Sequence, residues 1–440
     1  MLCGMTPTLL AANGEHGLVS GTVGMFVALL GFATTVGVLT KFVKIPYTIA
    51  LVLAGLVVAL LGAAPEDLKI TEELVLVLFL PPLLFQAGLH LDLGLLQRKA
   101  VPVAALAIPG VILSTVAVAL AVQFFLPQEV TNTHGVLLPA LLFGAMLAPT
   151  DPISVIATFK TANAPQPLKT LVEGESLFND GTGVVLFLIL RAAIVISIAS
   201  GAHGTSDEGS LSIVAGIITF VQVVGLGVVV GLALGLVAFW LLRRLDDHVL
   251  ENAITIVLVW GTFITAERLH GSGVIAVVVA GLIMGNYGSR LAMSKRTAET
   301  IETFWESIDF IVNSLVFLLI GIELQFIEGG VQRLIEPMVL LAVVCTFAAS
   351  LVARAAMVYT IAYTFGRHWP RGWKHVVLWA GLKGAIPLAL VLGLPESPLR
   401  DFLVPVIFGV VLVSLLLQGL TMPTLIRITG VSGQDDDATS

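Results

Sequence analysis

Charged residues are scarce in this chain. They fill 12% of its 440 positions, about half the ~25% usual in a soluble domain. That shortage excludes a soluble enzyme with a hydrated charged exterior. Cysteine is nearly absent too. Cys3 lies in the N-terminal tail and Cys345 in an apolar run, so no disulfide framework is implied. No connecting segment exceeds about twenty residues, which leaves no room for a soluble catalytic or nucleotide-binding domain. The eight histidines fall in loops or at the ends of apolar runs, so neither a histidine metal site nor an intramembrane histidine relay is suggested. Met1 to Ser20 lacks Lys and Arg and has only a short apolar core, which argues against a cleaved signal peptide. The formal charge of −7 says little, because the charges are sorted by side, and no nucleic-acid partner is expected.

What the chain does have is hydrophobicity: 57% of its residues. Thirteen apolar segments, at about 21–41, 46–64, 71–90, 100–126, 135–159, 168–199, 211–242, 249–267, 272–287, 304–326, 335–365, 374–394 and 399–426, each approach or exceed the ~20 residues that cross a bilayer. The expected fold class is therefore an all-α polytopic membrane protein with about 13 transmembrane helices. With the N-terminus outside, fifteen Lys and Arg residues fall in inward loops or the C-terminal tail and four, Lys69, Arg268, Arg333 and Arg400, in outward loops. The positive-inside rule thus places the C-terminus in the cytoplasm and the protein in the cell membrane. Residues 1–430 read as one membrane transport unit, followed by a short acidic cytoplasmic tail at 431–440. Gly285 to Gly288, GNYG, reads as an isolated loop-like motif.

Three of the 22 basic residues, Arg191, Arg354 and Lys383, remain inside spans. Ionisable groups at that depth cost roughly 2.5–3.5 kcal/mol each on insertion scales, so they are functional candidates. The sixth span, LVEGESLFNDGTGVVLFL from Leu171 to Leu188, carries Glu175, Asn179 and Asp180. Helical spacing pairs Ser176 with Asp180 on one face and Glu175 with Asn179 on its neighbour. In the fifth span, Pro149 and Pro152 bracket Thr150 and Asp151. Two prolines so close break backbone hydrogen bonds and free carbonyls in mid-membrane, which is tolerated only against protein or a polar cavity. In the twelfth span, Gly381, Gly384 and Pro387 weaken a helix that also contains Lys383. Interrupted spans at corresponding positions of two halves point to a transporter built from inverted repeats. Spans 1–6 (about 21–199) would then match spans 8–13 (about 249–426), with span 7 (about 211–242) as connector and the fifth and twelfth as crossed broken helices.

Asp151, Asp180, the Ser176 hydroxyl and the Thr150 carbonyl form an all-oxygen set suited to a hard cation. Two carboxylates in an apolar setting take either a proton or a cation, and binding one weakens the other. Arg354 needs a carboxylate if buried, and Glu175 is the best candidate; the alternative is snorkelling to an interface. Lys383 compensates either exposed carbonyl ends or a carboxylate. Arg191 reads as snorkelling or as lining an outer entrance. Asp309, Asn313 and Glu323 mark a polar stripe on the tenth span, with Asn313 expected to bond a broken helix and Glu323 to be interfacial. Gln86 and Asp92 read as structural.

GESLFND (Gly174 to Asp180), TDP (Thr150 to Pro152), the surroundings of Arg354 and GLKGAIPLAL resemble the monovalent cation/proton antiporters, in the branch of NhaP-type sodium/proton antiporters and the sodium/hydrogen exchangers. The resemblance spans the whole apolar region. It implies a homodimer, no cofactor, exchange of Na⁺, Li⁺ or K⁺ for H⁺ by alternating access, and a role in pH homeostasis. It implies cation ligation by Asp151, Asp180, Ser176 and Thr150, a Glu175–Arg354 pair, and site support from Asn179, Lys383, Pro152 and Pro387. Asn in place of a second Asp at position 179 implies electroneutral exchange. Lys383 departs from the family's usual Arg. A sodium-coupled solute symporter and an intramembrane aspartyl protease are the rival readings; the protease does not explain Glu175, Arg354 or the paired broken helices, and the symporter needs polar groups for an organic solute, of which few are unassigned.

Overall fold

The structure, a computed structural model, describes residues 8–43, 46–65, 68, 71–151, 153–199, 213–245, 247–292, 295–327, 329–365, 369–370 and 372–431. Pro152, Cys3 and all of the acidic tail but Val431 lie outside them. Among the described residues the regular structure is entirely helical. An apolar chain in lipid must satisfy its backbone within each segment, and the helix does so. Among the described residues eight helices are long and apolar enough to cross a membrane: Gly24–Phe42, Ala100–Val122, Gln166–Ile194, Ala215–Leu242, His248–Arg268, Thr297–Phe326, Pro337–Thr364 and Pro398–Thr429. Shorter apolar helices run over Tyr47–Leu60, Leu74–His90, Leu137–Met146 and Gly273–Gly288.

The helices sort into two packed groups. In one, Tyr47–Leu60 packs on Lys295–Ile322, and Gly273–Ile283 packs on Leu80–His90, Ile213–Leu242 and His248–Arg268. Glycines set the first of these crossings. A Cβ on Gly55 would run into the Leu318 carbonyl, and one on Gly321 into the Val52 carbonyl. Small residues let helix backbones meet where lipid offers no hydrophobic drive to associate. In the other group, Pro109–Val122 packs on Leu137–Met146 and Pro337–Thr364, Gln166–Ala199 on Ala100–Ala107, and Pro398–Val413 on Pro337–Thr364 and Ala385–Leu392.

The GNYG motif is not a loop. It continues the Gly273–Ile283 helix through a widened π-helical stretch, Met284–Ala292. Asn286 is held there by donating to the Leu91 carbonyl at 2.9 Å and accepting from the Leu93 N–H at 2.8 Å. Its composition is that of a loop, but its Asn is satisfied by a neighbouring chain turn rather than by solvent. Asp92 caps the helix Leu93–Arg98 by accepting from the Leu95 N–H at 2.9 Å, a structural role.

Candidate functional site

The helix Leu137–Met146 closes with the Leu147 and Ala148 N–H bonds to Phe143 and Ala145, residues 149–151 are not helical, and a helix begins again at Ile153–Thr161. The helix Trp373–Trp379 likewise stops, and Ala385–Leu392 resumes after Gly384. These two breaks touch. The Asp151 N–H donates to the Leu382 carbonyl at 2.8 Å. The Lys383 ammonium reaches the Ala148 and Pro149 carbonyls, each at 3.4 Å. A Cβ on Gly384 would lie 2.6 Å from the Asp151 Cβ, so a larger residue there would push the breaks apart. Pro387, buried in the first turn of Ala385–Leu392, lacks an N–H where the backbone donors of a helix start have no helical partner.

The helix Gln166–Ala199 lies against this crossing. Asn179 clamps Thr150 from both ends: its Oδ1 accepts from the Thr150 N–H at 3.1 Å, and its Nδ2 donates to the Thr150 Oγ1 at 2.7 Å. The same Nδ2 donates to Glu175 Oε1 at 2.8 Å. The Ser176 hydroxyl donates to the Thr150 carbonyl at 2.6 Å. Glu175 faces Arg354 through two parallel bonds of 2.9 Å. The guanidinium also donates through Nε to the Val377 and Leu378 carbonyls at 3.2 and 3.1 Å, two of the carbonyls left open where Trp373–Trp379 ends. Arg354 is therefore at once an ion-pair partner and a C-terminal cap. A Cβ on Gly381 would collide with it.

A cavity of about 480 Å³ reaches this crossing. Thr150, Asp151, Ser176 and Asp180 line its inner end, and the exposed Lys160 and His90 mark its mouth. Asp180 is 7% exposed, and its Oδ1 has no hydrogen-bond partner. The carbonyl of Thr150 keeps a second lone pair beyond the Ser176 bond. The arrangement offers hard oxygen donors, one of them unengaged, at the end of a water-accessible cleft. That is a setting for binding a hard cation or a proton.

Asp151, Asp180, Ser176, Thr150, Asn179, Glu175, Arg354 and Lys383 all meet at the crossing. Pro152 lies outside the described residues. Other expectations change. Among the described residues Asn313 bonds neither break; its amide bonds Asp309, one helical turn away on the cavity wall, and its Oδ1 has no partner. Glu323 is buried among its neighbours, at 4% exposed. Arg191 pairs with Glu72 at 3.1 Å across two helices. Gln86 is a cavity-wall residue. No histidine metal site was expected, yet His90 Nε2 lies 3.4 Å from Glu302 and beside Glu306, an exposed group with metal-ligand spacing. Sequence reasoning missed Glu173, which also lines the cavity. Its position seven residues before Asp180 puts it two turns away on the same face, about 10 Å off, and that spacing was the available signal.

Comparison with known proteins places this chain in a family. A profile described as the transmembrane sodium/hydrogen exchanger matches residues 12–428. The Na⁺/H⁺ antiporter ApNhaP of Aphanothece halophytica is 38% identical over 439 residues, covering 97% of this chain and 78% of that protein. The Na⁺/H⁺ antiporter NhaP of Pseudomonas aeruginosa is 37% identical over 420 residues, covering 92% of this chain and 96% of that protein. Among solved structures, the sodium proton antiporter MjNhaP1 from Methanocaldococcus jannaschii at pH 8 shares the fold, with a TM-score of 0.70, 20% identity and coverage of 94% of this chain and all of that one. This chain belongs to the sodium/hydrogen exchanger family.

Proposed function

We propose that the crossing of the two broken helices is the exchange site of this transporter. As a family member the chain is an Na⁺/H⁺ antiporter of the multi-pass membrane class, not an enzyme. Asp151 and Asp180 take either the cation or the proton, with the Ser176 hydroxyl and the Thr150 carbonyl completing an oxygen shell. Asn179 and Lys383 hold the unwound backbone of the first break in place. Glu175 and Arg354 act as a neutralised pair that fixes Gln166–Ala199 to the second break. The observation that carries this reading is the unengaged, buried Asp180 oxygen at the end of the cavity.

Competition at one seat is sufficient for exchange if the empty, charged site is slow to change sides. Alternating access follows when one helix group rocks against the other. Lys160 and Lys169 line the cavity, and the distribution of Lys and Arg supports a cytoplasmic placement of that end. The conformation is then inward-facing, with about thirteen spans, an outside N-terminus and the two breaks in inverted repeats. A homodimer and electroneutral one-for-one exchange complete the proposal. Proteoliposomes loaded with a pH-sensitive dye test it: added Na⁺, and in parallel Li⁺ and K⁺, should drive proton movement in the wild type and not in Asp180→Asn. Proton movement that needs an added organic solute would favour a symporter.

A further inference from the structure

The second break leaves backbone groups open in mid-membrane, where each unpaired one is costly. Two of these groups, the Trp379 carbonyl and the Lys383 N–H, find their partners on a single turn of another helix. The Lys383 N–H donates to the Ser414 Oγ at 2.9 Å. The Ser414 hydroxyl donates to Gln418 Oε1 at 2.6 Å. That bond fixes the orientation of the amide, so Gln418 Nε2 donates to the Trp379 carbonyl at 3.2 Å. The two ends of the break, Trp379 and Lys383, are thus clamped by one linked pair. Ser414 and Gln418 are 0% and 1% exposed, so no water substitutes for either. They sit on a π-helical turn, Ser414–Gly419, inside an otherwise α-helical run. Such turns cost helical regularity and are often kept where a side chain must be aimed.

Between the clamped ends lies Leu382, whose carbonyl accepts the Asp151 N–H. Lys383 itself spans the gap to the Ala148 and Pro149 carbonyls. Displacement of the 380–384 backbone therefore moves the acceptor of the Asp151 N–H and the ammonium that holds the Ala148 and Pro149 carbonyls. We propose that Ser414 and Gln418 are positioning residues for cation binding, acting through the Leu382 and Lys383 backbone on Asp151. This rests on Asp151 belonging to the exchange site.

The test is Na⁺-dependent proton exchange in proteoliposomes, with KM and kcat separated, on protein that elutes as one species from size exclusion. Ser414→Ala should raise KM for Na⁺ about tenfold with kcat within about twofold, and Ser414→Thr, which keeps the hydroxyl, should restore KM. Gln418→Met, which keeps the shape and removes both bonds, should raise KM similarly and serves if Ser414→Ala does not fold. Thr255→Val removes a bond of comparable burial, to Trp305 at 3.0 Å, in the other helix group, and should leave KM unchanged. Equal KM values for wild type and the folded Ser414 or Gln418 variants would overturn the proposal. So would a KM rise of equal size in Thr255→Val. Exchange by the wild type and its loss in Asp180→Asn stand apart from these outcomes and test the underlying site assignment.

Discussion

Arg354 meets Glu175 with both ends of its guanidinium fork, at 2.9 Å each, while its Nε holds the Val377 and Leu378 carbonyls. Glu175 is almost wholly buried and Arg354 nearly so. Removing one partner of such a pair costs about 3–5 kcal/mol, because the other charge stays behind without its counter-ion. Glu175→Gln should therefore lower the melting temperature in detergent clearly. The Glu175→Gln/Arg354→Met double variant should not recover fully, since the carbonyl caps are lost with the guanidinium. Full recovery would assign Arg354 to ion pairing alone.

Asp180→Asn keeps the shape and loses the titrating group. It should abolish exchange while melting near the wild type, because no hydrogen bond to Asp180 Oδ1 is lost. Normal exchange in this variant would remove Asp180 from the site.

Asn179 uses its amide to donate to Thr150 and to Glu175 and its oxygen to accept from the Thr150 N–H. An Asp there loses both donors and faces Glu175 as a like charge. Asn179→Asp should therefore lose exchange and stability rather than become electrogenic. Wild-type exchange itself should be insensitive to an imposed potential, since a transported net charge would feel about 2.3 kcal/mol per 100 mV. A wild-type rate that follows the imposed potential would contradict electroneutrality.

Lys383→Met leaves the Ala148 and Pro149 carbonyls without their cationic donor. Loss of a buried charged hydrogen-bond partner costs about 1–3 kcal/mol, so melting and exchange should both fall. Lys383→Arg keeps the charge and should retain part of the activity. Unchanged exchange in Lys383→Met would show that the crossing holds without the ammonium.

The parts of the site that could be read from sequence are those the membrane makes expensive. Asp151, Asp180, Glu175, Arg354 and Lys383 are charged in apolar runs, and Pro149 breaks a helix in any context. Their partnerships followed from counting charges against one another. The unreadable parts depend on what lies across a helix interface. Ser414 and Gln418 sit among leucines and valines with nothing to distinguish them from ordinary polar residues of a helix. Glu72 was not singled out, although it meets Arg191, 119 positions away. Glu323 looked interfacial because it stands near a span end, and only the packing around it makes it buried. GNYG looked like a loop because its composition is that of a turn, while Asn286 is in fact satisfied by the Leu91–Leu93 backbone.

Na⁺ binding to the purified protein by calorimetry, repeated across pH, reaches the shared seat most directly. If proton and cation exclude each other at Asp151 and Asp180, the apparent Kd rises about tenfold for each unit of acidification once the protonated form dominates, and each Na⁺ bound releases protons to the buffer. An apparent Kd that stays constant from acid to alkaline buffer, with no proton release, would contradict competition at one site.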